Sequence, residues 1–85
     1  MMADAKADFI RIEIQLGNTM LNLARTELKM GDLEGAKKAI ANARNAKSSA
    51  ERFLAKLMDA PAEIMNELVR DIEDLEGAIR EYESL

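Results

Sequence analysis

Cysteine, histidine and tryptophan are missing from this 85-residue chain altogether. Without Cys there is neither a disulfide nor a thiolate metal site. Without His the commonest general base and the commonest transition-metal ligand are lost. Only Phe9, Phe53 and Tyr82 are aromatic, which leaves little for stacking on bases or sugars. Pro61 is the sole proline and there are four glycines, so breaks in regular structure are few. No apolar run approaches the roughly 18 residues of a membrane span, and Met1–Lys6 does not resemble a signal peptide. The expectation is a cytoplasmic protein.

Helix formers dominate what is present: Ala, Leu, Glu, Lys, Arg and Met. The formal charge is −4, which argues against nucleic-acid binding, since phosphate contacts need a net basic face. The composition predicts an all-α fold, and 85 residues suit one domain spanning 1–85. A chain this short buries only about 60–65% of its unfolded surface, so helix packing or oligomerisation has to carry much of its stability.

Two breaks divide the chain. At Met30-Gly31-Asp32, Gly31 can adopt the left-handed conformation that closes one helix, and Asp32 can cap the next. At Asp59-Ala60-Pro61, proline suits a first helical turn and Glu63 favours the new N-terminus. The predicted helices cover roughly 4–30, 32–58 and 61–83, and the short connections make them an antiparallel three-helix bundle.

The first helix has an apolar arc of roughly 200°, wider than one buried face requires. Ile12, Leu16, Leu23 and Met30 form a row along one edge of that arc. They are the candidate interaction surface if the other helices leave them uncovered. The second helix presents Leu33, Ala36, Ala39, Ile40, Ala43, Ala46, Ala50, Phe53, Leu54, Leu57 and Met58; its alanines allow close approach of another helix. The third carries a heptad seam of Met65, Leu68, Ile72, Leu75, Ile79 and Tyr82. Met20, Met58 and Met65 fit core positions, and Met30 can face outward.

Charge is segregated. Residues 32–58 carry six basic against three acidic groups, and 61–85 carry eight acidic against two basic. An antiparallel turn near residue 60 predicts Lys56 beside Glu63 and Arg52 beside Glu67, contacts that specify neighbours more than they stabilise.

From Asn18 to Ala46 the chain reads Leu23-Ala24, then Lys29-Met30-Gly31-Asp32, then Ala36, Ile40 and Ala43. This third of the sequence resembles a single tetratricopeptide-type (TPR-like) helical hairpin. The resemblance implies antiparallel pairing of the first two helices. A single repeat does not build the concave groove with which that family holds peptides.

Glu13 and Glu27 fall inside the apolar arc, with Glu51 and Glu76 near the borders of the other inward faces. Carboxylates inside a bundle can hold two metal ions, but such sites pair Glu with His, and Glu13 and Glu27 are about 20 Å apart along the helix. Structural ion pairs are expected instead, Glu13 half-buried beside Lys47 or Arg70. The basic second helix lacks interleaved aromatics, which favours a solvated face complementary to the third helix. No catalytic, cofactor or metal residues emerge, and an enzyme is not expected. The sequence points to a protein–protein interaction or self-assembling structural module, with a possible homodimer through the first helix. The contrasting function is a ligand-binding or nucleic-acid-associated regulatory protein.

Overall fold

A computed structural model describes the backbone of residues 2–57 and 59–84, with burial from residue 5 onward; Met1, Met2 and Met58 therefore contribute no side-chain observations. Three helices follow one another: α1 (Met2–Lys29), α2 (Leu33–Ala55) and α3 (Ala62–Glu83). Among the described residues there is no strand. Arg11 reaches Glu67 and Arg25 reaches Tyr82, so α1 and α3 run parallel. Phe9 packs at a tilt against Phe53 and Arg44 reaches Glu83, so α2 runs against both. The bundle is a rod of 45 × 19 × 15 Å, its long axis set by α1, which at 1.5 Å per residue measures about 42 Å.

The first break forms as its residues demand. Gly31 has φ 81°, where a Cβ would be strained. Gly31 donates to the Leu28 carbonyl at 3.1 Å and Asp32 to the Glu27 carbonyl at 2.8 Å, the paired bonds of a Schellman ending. The Asp32 carboxylate then accepts from the Gly35 N–H at 2.9 Å and caps α2.

The second break is longer than its sequence signals. The last α2 residue is Ala55, not 58. Lys56 and Leu57 turn back onto the Phe53 and Leu54 carbonyls, both at 3.1 Å, and Leu57 stays buried although it has left the helix. Pro61 is the residue before α3, not its first (φ −57°, ψ 148°). Proline disfavours helical geometry at the residue preceding it, which keeps Ala60 outside both helices.

Helix α2 meets α1 along Ala36, Ala39, Ala43, Ala46 and Ala50, all buried. These small side chains make α1–α2 the most extensive helix contact in the bundle. Helix α3 closes the core with Leu68, Ile72, Leu75 and Ile79, against Ile10, Ile14 and Leu21 of α1. Met20, Ile40, Phe53 and Met65 pack at its margin. Where α1 passes α3, Gly17 allows the approach: a Cβ there would lie 2.7 Å from Leu75 Cδ2. Leu33, counted with the inward face of α2, stands outside the core and is 57% exposed.

Candidate functional site: the outer face of α1

Helices α2 and α3 both lie on the Ile10–Ile14–Leu21 side of α1. The opposite side is left open. Ile12 is 57% exposed, Leu16 42%, Leu23 43% and Met30 72%. All four candidate residues thus lie on one uncovered face. Phe9, 38% exposed, extends it at one end; its ring centroid lies 4.4 Å from that of Phe53, so one edge is held by α2 while the other faces out.

The spacing on this face is regular. Phe9, Leu16, Leu23 and Met30 recur every seven residues, and Ala5, Ile12, Thr19 and Thr26 recur between them at the complementary heptad position. Steps of three and four alternate from Ala5 to Met30, the pattern of a helix that pairs with another helix. The two threonines interrupt the apolar run. Thr26 turns its hydroxyl back to the Asn22 carbonyl at 3.2 Å, which leaves its methyl for contact.

Polar groups flank the face on both edges. Asp8, Gln15, Asn22 and Lys29 lie toward α3, and Lys6, Glu13 and Glu27, interrupted by the apolar Met20, lie toward α2. Asp8 pairs with Arg11 at 3.0 Å, and Arg11 with Glu67 at 3.0 Å. Glu67 was expected beside Arg52, but Arg52 instead donates to Ser49. Lys56 lies over the Phe53 ring at 5.6 Å and forms no ion pair with Glu63 among the described residues. The six-residue loop between α2 and α3 moves Lys56 and Arg52 out of the expected register.

Glu13 is half-buried, as its place in the arc predicts, but neither Lys47 nor Arg70 is its partner, and it makes no ion pair among the described residues. Lys47 is committed elsewhere. It is 9% exposed, and its ammonium lies 2.8 Å from Glu76 and 3.2 Å from Glu51. Glu76 also receives Arg44 at 3.0 Å and Arg80 at 2.6 Å, while Arg44 grips Glu83 at 2.7 and 2.9 Å. Hydrogen bonds from Arg44, then Lys47 and Arg80, hold the Glu76 carboxyl down to about 2. Arg44 also lowers Glu83. This network joins α2 to α3. Lys47 was expected either on the solvated basic face of the second helix or beside Glu13; it sits four residues after Ala43 and three before Ala50, so the periodicity of the buried alanines turns it inward, toward Glu76.

Glu27 meets a carboxylate instead of a cation. Its carboxyl and that of Asp32 come together above Gly35, where a Cβ would lie 2.8 Å from one and 2.4 Å from the other. The hydrogen bond between them raises the pKa of Glu27, while the Gly35 N–H and then Glu27 lower that of Asp32. In a Schellman ending these two positions commonly hold apolar side chains in contact; here they hold two acids side by side.

Among the described residues no three potential metal ligands come together, and no helix is long and apolar enough to cross a membrane. No protein-family model matches the chain, and no curated protein or solved structure matches it.

Proposed function

We propose that the chain acts without catalysis, as a helical docking module whose α1 outer face receives an amphipathic helix with an apolar heptad seam of its own. The supporting observation is the row Ile12, Leu16, Leu23 and Met30, each more than 40% exposed, in a register of which the bundle holds only the Phe9 end, against Phe53. A helix that only covers its own core needs one apolar face of about 100°. A second seam three heptads long has the spacing for knobs-into-holes packing with another helix.

The test pairs Leu16→Glu with Leu23→Glu in the full chain. Both side chains are exposed, so the double variant keeps its helix content by circular dichroism. Wild type is expected either to self-associate or to bind a fluorescent three-heptad peptide with Leu at both seam positions and Lys at the flanks. The variant is expected to do neither. Wild type and variant behaving identically in both measurements would reject the reading.

A further inference from the structure

We infer that the helix received by this face is α1 of a second copy, laid antiparallel across the first about a two-fold axis near Gly17 and Asn18. The inference rests on the docking reading above and adds partner, direction and register.

Charge and layer composition both select the direction. In a parallel in-register pair each residue on the α3 edge faces the residue five places later on the partner's α2 edge. That brings Asp8 against Glu13 of the second copy, twice over, and like charges so placed oppose pairing. It also sets Thr19 against Thr19 and Thr26 against Thr26, stacking hydroxyls in the seam. In the antiparallel arrangement like edges meet. Asp8 then approaches Lys29 of the second copy, and Gln15 approaches Asn22, each pair occurring twice by symmetry.

The seam layers improve in the same arrangement. Ile12 meets Leu23 of the second copy, Leu16 meets Thr19, and Phe9 meets Thr26. Every layer then holds at least one large apolar side chain, and the Thr26 hydroxyl is already satisfied by the Asn22 carbonyl. Shifting the axis by half a heptad, toward Leu21, would bring Glu13 to Glu27 of the second copy. The two glutamates of the α2 edge therefore disfavour that register. Helices α2 and α3 lie on the far side of α1, where salt screens their net charges from the second copy within about 8–10 Å, so α1's own flanks decide.

The absence of cysteine makes single-Cys variants clean reporters. With the axis near residues 17 and 18, two copies of residue 19 are offset by only about 4–5 Å along the seam, while two copies of residue 30 are roughly 37 Å apart. Wild type should sediment at twice its 9.5 kDa mass at high micromolar concentration. A short bis-maleimide should link Thr19→Cys into dimers and leave Met30→Cys unlinked. Equal linking of both variants would mean a parallel pair and overturn the proposed direction. A monomeric wild type would overturn self-pairing; the docking reading then stands or falls separately on whether the heptad peptide binds.

Discussion

The two faces of α1 are similar in composition and opposite in fate. On the inner face Ile10, Ile14, Leu21 and Ala24 are buried, and Gly17 lets Leu75 approach. On the outer face Ile12, Leu16, Leu23 and Met30 stay open. Hydropathy alone does not separate them, since Leu21 and Leu23 are the same residue two positions apart. What separates them is that a bundle of three helices can surround only part of a 200° apolar arc. Apolar character marks a surface that another helix can cover, and only the neighbours decide whether this chain itself does so.

The same truncation made on each face separates their roles. Leu21→Ala empties part of the core and should cost about 2–5 kcal/mol of unfolding free energy. Leu23→Ala should cost under about 0.5 kcal/mol in the monomer and weaken pairing instead. Urea melts at low micromolar concentration, set beside sedimentation at high concentration, measure the two effects separately. Comparable losses of monomer stability would mean that the outer face belongs to the core.

A smaller effect tests the polar seal that the outer face lacks. Glu76→Gln leaves Lys47 with only Glu51 and should cost roughly 2 kcal/mol at pH 7. The pH dependence follows from the direction of the shift. The folded-state pKa of Glu76 is held down to about 2 and that of Glu83 is lowered too, so their contribution is complete above the ordinary carboxylate range near 4.5 and is lost as pH falls toward 2. Thermal melts from pH 6 to pH 2 should show a smaller decline in the Glu76→Gln variant than in wild type.

Two glycines differ by less still. Gly77 on α3 has open space where a Cβ would be, so Gly77→Ala should stabilise the protein by about 0.5–1 kcal/mol. Gly17→Ala gains the same helix propensity but drives its methyl into Leu75. It should show no net gain, and equal stabilisation of both variants in denaturant melts would mean that α1 and α3 are less closely packed at Gly17 than the geometry indicates.

Much of the fold was legible residue by residue. The Gly31 turn and Asp32 cap depend on local backbone chemistry, and both formed where their residue types demand. The α3 seam of Leu68, Ile72, Leu75 and Ile79 could be read from its spacing alone, and so could the wide arc of α1. The end of α2 could not, because Lys56 and Leu57 continue a helical pattern and are turned aside only by the connection to Pro61. Ion-pair partners were legible least. Glu67 could have served Arg52 or Arg11, and Lys47 could have served Glu13 or Glu76.

Three helices, their order, the first turn and the total apolar surface follow from local residue patterns, since each depends on interactions within a few residues. Where that surface is spent depends on how the helices pack. The rotation of α1 about its own axis, set by the alanine face of α2 and by Gly17 against Leu75, carried Ile10 and Leu21 inward and left Ile12, Leu16, Leu23 and Met30 outside. The packing of α2 against α3 placed Lys47 under Glu76, away from Glu13. Long charged side chains can reach several partners, so their choice waits on a geometry that no local pattern encodes.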